Sequence, residues 1–185
     1  ARSGPQTEAN VLTWTEEILT ALDYCHRRRV FHHDIQPKSV IITPDNHAVL
    51  VSFEVMGLWN ANNPSTWTAK RVMGVPEYAS PERWTNRNWR QDPSSDLYSL
   101  GATLYTALTG SLQTNAGDRI SIPYQFVQVK TLTPYVGAHS KGVILKAMSL
   151  ARGKRYRSAS DMLRDLNSPR QHSVGETQPM PAPFT

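Results

Sequence analysis

Apolar residues recur every three or four positions near the start of the chain, at Val11, Trp14, Ile18, Leu22 and Cys25. That period predicts a core-facing helix of about four turns over 11–25. The pattern then breaks. "VFHHDIQPKSVII" (30–42) has apolar ends around a polar middle containing Pro37, which suits a loop between short strands. "HAVLVSF" (47–53) is dense in β-branched and aromatic residues and follows the turn signal "TPDN", so it predicts a strand. Residues 54–80, full of Asn, Ser, Thr, Pro and Trp, predict a long irregular stretch. "SSDLYSLGATLYTALTG" (94–110) carries Leu97, Leu100, Leu104, Tyr105 and Leu108 at helical spacing, with Ser and Asp as N-cap candidates and Gly110 as the stop. Apolar on nearly all sides, it predicts the buried central helix. Two shorter amphipathic helices are expected over 139–150 and 158–166, joined by the basic turn "ARGKRYR". From Ser168 onward Pro169, Pro179, Pro181 and Pro183 stand among Gln, Ser and Gly. The expected organisation is one globular domain over 1–167 and a disordered Pro-rich tail over 168–185.

Composition narrows this only a little. With 185 residues, 39% of them hydrophobic, and five Trp and seven Tyr, the chain has apolar material for one real core. Twenty basic against fifteen acidic side chains give a net charge of +5, a general preference for acidic partners that names none. The single cysteine, Cys25, excludes an internal disulfide framework and fits a reducing compartment. No apolar run approaches the ~18 residues of a membrane helix, and "ARSGPQTEAN" is too polar for a signal peptide. A soluble, cytoplasmic chain is therefore expected. The start at Ala rather than Met suggests a piece or processed form of something longer.

Several constellations weigh towards their plainer reading. Cys25, His26, His32 and His33 fit no common zinc spacing, so no metal site is expected. "HRRR" (26–29) reads as a solvated last helical turn favoured by the helix dipole rather than as a nucleic-acid patch. Ser65, Thr66 and Thr68 are either phosphorylation sites or plain polar loop residues. Trp59, Trp67, Trp84 and Trp89 suggest packing or a partner surface, with packing favoured.

Taken together, the ordered motifs from 30 to 166 resemble the C-terminal lobe of a Ser/Thr protein kinase, most similar to bacterial members. The family's catalytic loop, H-R-D-x-x-x-x-N, is matched by His32, His33, Asp34 and, at the Asn position, Ser39. "SFE" (52–54) stands where the family has D-F-G, and Ser80, Pro81 and Glu82 match A-P-E. "SDLYSLG" matches the start of the family's central helix, which places Asp96 where an Asp braces the catalytic-loop backbone. Arg155 falls where an Arg pairs with the A-P-E Glu, here Glu82. The resemblance implies a mainly α protein-kinase-like C-lobe, a helical bundle with short β-hairpins at the catalytic loop. No G-x-G-x-x-G loop and no V-A-I-K strand occur in the sequence, so an N-terminal lobe is expected to be absent.

On this resemblance the packing positions are kept: His32 and Phe53 in the column joining the lobes, Pro81, Glu82, Asp96, Gly101 and Arg155 within the lobe, and Ile41 as the apolar floor of the adenine pocket. The positions facing phosphate or metal are not. Gln36 replaces the Lys that neutralises the transferred phosphoryl group. Ser39 and Ser52 replace the Asn and Asp that bind Mg²⁺, and a hydroxyl is a poor ligand for a hard cation. Glu54 replaces the D-F-G glycine. His33 replaces an Arg, which weakens the docking site for a phosphorylated activation loop and makes it pH-dependent. Asp34 remains, either as a catalytic base or as a hydrogen-bonded loop carboxylate.

Since phosphoryl transfer is catalysed mostly by positioning and charge, the expectation is a catalytically impaired, pseudokinase-type regulatory or binding module. Active relatives use ATP and Mg²⁺; this chain is expected to bind neither. Protein partners in signalling are expected, without nucleic acid and without a membrane segment, although a tether beyond residue 185 would fit bacterial relatives. Two alternatives stay open. One is weak or unusual phosphotransfer through Asp34 in a longer protein. The other is a non-nucleotide adaptor whose "QPMPAPF" tail is read by a polyproline-binding domain.

Overall fold

The computed structural model describes residues 4–53, 57–58, 75–85, 92–112, 116 and 136–168. The residues singled out at 54, 59, 65–68 and 89, the side chain of Trp84 and the tail from 169 lie outside that set.

Helix α1 runs from Glu8 to Arg27, longer at both ends than the apolar stripe predicts. Thr7 caps it, accepting the Asn10 N–H, and Glu8 places an acid in the first turn where the helix dipole favours one. Val11, Trp14, Ile18 and Leu22 are buried as the spacing implies, with Thr15 and Leu19 beside them. Cys25 departs from the expected stripe and is half-buried. The inward position of the last turn belongs to its neighbour His26, whose side chain is 6% exposed.

The β structure is small and local. β1 (Val30–Phe31) pairs antiparallel with β4 (Gly57–Leu58), and β2 (Val40–Ile42) pairs antiparallel with β3 (Ala48–Leu50). The strand expected over 47–53 stops at Leu50 because Val51 leaves the ladder: its N–H bonds Ser39 O at 2.8 Å and its carbonyl accepts from the His32 ring. The β2–β3 hairpin is tied back to α1. Trp14 Nε1 donates to Asn46 O at 3.0 Å, and the Glu17 carboxylate accepts the Ala48 N–H at 2.6 Å.

Helix α2 is one short turn, Glu82–Thr85. Helix α3, Pro93–Thr109, is the central helix, buried along its length except at Pro93, Thr106, Ala107 and Thr109. Its N-cap is Asp92, which accepts the Ser94 N–H at 2.7 Å, so the Ser and Asp residues taken as cap candidates lie inside the first turn. Pro93 explains the shift, since its fixed φ suits the first helical position and its missing N–H costs nothing there. The consequence is that Asp96 is left for other work. Gly110 ends α3 at φ 70°, a left-handed cap whose N–H bonds Thr106 O.

Helix α4, Ala138–Ala147, ends three residues earlier than expected. The carbonyls of Ser149 and Leu150 turn to the Arg155 guanidinium instead of continuing the helix. Helix α5, Ala159–Leu166, is capped by the Ser158 hydroxyl. The bundle is closed by α1 packing on α5 and α3 on α4. Gly101 permits the second contact, because a Cβ there would lie 2.9 Å from Met148 Cγ and 3.0 Å from Ala147 Cβ. At one end the Glu8 carboxylate accepts the Gly137 N–H and the Ser140 hydroxyl, capping α4 from α1. Among the described residues, no helix is long and apolar enough to cross a membrane.

Candidate functional site

The loop between β1 and β2 is organised around one buried carboxylate. Asp96, fully buried in the first turn of α3, accepts the His33 N–H through Oδ1 at 2.8 Å and the His32 N–H through Oδ2 at 2.9 Å. The His26 ring meets Oδ2 from α1, also at 2.9 Å. Burial alone would push this carboxyl up; the His26 bond, the charges of His33 and His26 and the His32 N–H pull it the other way, to about 2. An ionised acid thus holds two consecutive backbone amides, which fixes the loop's path.

His32 joins that loop to the segment after β3. Its Nε2 lies 2.8 Å from Val51 O, its Nδ1 accepts the Asp34 N–H at 3.2 Å, and its ring sits 4.7 Å from that of Phe53. These bonds assign the proton to Nε2. The Phe31 ring lies between those of His26 and His33, at 5.5 and 5.9 Å. Two bends of this loop pair carry positive φ without glycine, His33 at 66° and Ser52 at 68°, as Arg29 and Asn46 do elsewhere among the described residues. Each is a conformation that costs free energy and persists only where surrounding contacts enforce it. At His33 the Asp96 bonds to its own N–H and to that of His32 are among the enforcing contacts.

The polar positions differ sharply in what they can still do. The half-buried Asp34 carboxylate accepts the Gln36 side-chain N–H at 2.9 Å. Ser39, 2% exposed, closes the short 3₁₀ turn Pro37–Ser39. Its hydroxyl accepts the Gln36 N–H at 2.9 Å and donates to Gln36 O at 2.8 Å, so its proton and one of its two lone pairs are taken up within the turn. Ser52 is exposed. Ile41 on β2 is 52% exposed and stands opposite Val49, 44% exposed, on β3. Among the described residues, no three His, Cys, Asp or Glu side chains converge as a metal-binding group.

A second buried charge pair lies beneath the loop. Arg155 reaches both Glu82 oxygens at 2.8 Å, and its remaining N–H groups meet the carbonyls of Ser149, Ser94 and Leu150. Its guanidinium also lies 4.9 Å from the Tyr98 ring centroid, and Ser95 donates its hydroxyl to Glu82 at 2.6 Å. Burial would raise the Glu82 carboxyl; the hydrogen bonds and charge of Arg155, with the Ser95 hydroxyl, bring it down to about 2. Next to Glu82, the half-buried Arg83 donates from its guanidinium to the His33 carbonyl.

The structure therefore brings Asp34, Gln36, Ser39 and Ser52 to one loop pair, with His32, Phe53 and Asp96 beneath them and Ile41 on the adjoining hairpin. Sequence reasoning missed His26, Val51, Ser95 and Arg83. His26 was within reach, since a 3.6-residue period carried past Leu22 points as well to 26 as to 25. The others act through a backbone carbonyl or a long-range contact that leaves no pattern along the chain.

The sequence profile described as protein kinase domain matches residues 1–162. The chain belongs to that family. Among its curated relatives, the serine/threonine-protein kinase PknB of Mycobacterium tuberculosis is 30% identical over 169 residues, covering 88% of this chain and 26% of that protein. A probable serine/threonine-protein kinase PknB of Bifidobacterium longum is 30% identical over 154 residues, covering 80% and 22%. A probable serine/threonine-protein kinase of Clostridium acetobutylicum is 26% identical over 174 residues, covering 91% and 26%. The chain spans about a quarter of the length of the relatives it matches.

Proposed function

We propose that this chain is the C-terminal lobe of a kinase-like domain that works as a regulatory or binding module, with phosphoryl transfer impaired. The observation that carries the reading is Ser39. At a position where the resemblance puts a Mg²⁺ ligand, its hydroxyl is buried and engaged at both ends within its own turn. Ser52, at the other such position, offers one neutral exposed oxygen. Neither supplies the charged oxygen that a hard cation asks for. Gln36 adds a hydrogen bond to Asp34 and no charge. The donor set does not fit a magnesium triphosphate.

The packing that would hold such a loop is nonetheless present, in Asp96, His32 and the Glu82–Arg155 pair. A preserved scaffold with altered ligands suits recognition of a protein partner in signalling, with the exposed Ile41 and Val49 as apolar surface next to the loop. The test is Mg²⁺-ATP binding and radiolabelled phosphate transfer by the natural full-length protein. The expected result is no thermal shift with nucleotide and no transfer. A saturable shift together with transfer that disappears in Asp34→Asn would replace this reading with that of a weak kinase. That second reading is favoured by one feature, the Asp34 carboxylate held in place beside a pre-bent loop.

A further inference from the structure

The resemblance leads one to look for cations at two places in this loop, and finds His33 and Gln36 in them. A permanent cation is there all the same, delivered by another element. Arg83, on the α2 turn, donates from its guanidinium to the carbonyl of His33, the residue at φ 66° whose N–H is held by Asp96. The left-handed residue is thereby gripped on both sides, by a carboxylate at its N–H and by a guanidinium at its carbonyl. The charges around Arg83 agree with the placement. Burial pulls its basicity down, and the carboxylates of Asp34, Asp96 and Glu82 act against that, in that order. Arg83 adjoins Glu82, which Arg155 and Ser95 anchor, so the clamp is mounted on a rigid base.

We propose that Arg83 is a positioning residue that holds the catalytic-loop backbone at His33 in its bent conformation, so that the loop is set without a phosphorylated segment docking on it. The proposal rests on the assignment of residues 32–39 as the catalytic loop, and it holds whether or not phosphate is transferred. A guanidinium suits the task because it stays charged at all working pH values and donates in a fixed plane, whereas an imidazole in this position would switch.

Backbone amide exchange in the natural full-length protein tests it, comparing the segment 30–36 with the core of α3, 97–108. Losing a charge-assisted bond to a carbonyl should accelerate exchange in 30–36 about tenfold in Arg83→Gln, with 97–108 unchanged. Arg83→Lys, which keeps the charge, should recover most of the protection, and Arg164→Gln on the surface of α5 should change neither segment. Phosphatase treatment of the unsubstituted protein should leave 30–36 as protected as before. Three outcomes would overturn the proposal: unchanged exchange at 30–36 in Arg83→Gln, equal acceleration in both segments, or loss of loop protection on dephosphorylation. Because the readout is loop protection rather than nucleotide or transfer, its failure is distinct from failure of the functional reading above.

Discussion

Ser39 and Ser52 occupy equivalent chemical roles in the resemblance, yet their surroundings predict different responses to restoring a ligand. Ser52 is exposed and already at φ 68°, a conformation that Asp tolerates better than most residues. Ser52→Asp should change stability by no more than about 0.5 kcal/mol. Ser39→Asn must force a larger amide into a buried turn and displace its two internal bonds from their present geometry, at a cost of about 1–3 kcal/mol. Thermal unfolding of the two variants checks this, and the reverse order would mean that the turn has room to spare. The buried acids make a pH prediction at the same scale. Asp96 and Glu82 are depressed from ordinary values of 3.8 and 4.5 to about 2. Their folded values lie below their unfolded ones, so the stability they contribute is present above about 4.5 and is lost as pH falls towards 2. Unfolding free energies from urea titrations followed from pH 6 down should drop across that window, by a few kcal/mol in total. A flat profile there would contradict the charged, hydrogen-bonded state assigned to both acids.

At the scale of elements, the contacts that set one helix against another rest on single atoms. Gly101→Ala puts a methyl 2.9 Å from Met148 Cγ and 3.0 Å from Ala147 Cβ, in the contact of α3 with α4. Overpacking of that kind should cost about 1–3 kcal/mol, read as a fall in Tm, and a neutral result would mean that α4 slides freely. Glu8→Gln should cost about 1 kcal/mol, since it weakens the cap that α1 provides for α4. Helix periodicity revealed α1 and α3 well because each buries a long apolar stripe. It revealed the ends less well. Asp92 and Pro93 outcompete the Ser and Asp residues behind them as the start of α3, and α4 ends early because Arg155, eight residues beyond its last turn, recruits the carbonyls of Ser149 and Leu150. A local pattern does not carry the pull of a distant guanidinium.

Over the whole molecule, the Glu82–Arg155 pair joins the α2 turn to the segment before α5 across the base of α3. Breaking one partner of a buried pair leaves the other charged and unpaired, so Arg155→Ala should destabilise by about 3–5 kcal/mol. Arg155→Lys should recover only part of that, because an ammonium cannot reach both Glu82 oxygens and three carbonyls at once. Denaturant unfolding measures both; equal stability of the alanine variant and the parent would dissolve the pair as a determinant of the fold. The sequence by itself determined the helical class, the central helix, the order of the kinase-like motifs and the identity of Gln36, Ser39 and Ser52 at positions where the resemblance puts phosphate-facing residues, because periodicity and residue identity are properties of the chain. Only the tertiary structure decided that Asp96 holds two loop amides together with His26 and that Arg83 meets the His33 carbonyl. Those contacts join residues that lie up to seventy positions apart in the chain, and their directions depend on how α1, α2 and α3 pack around the loop.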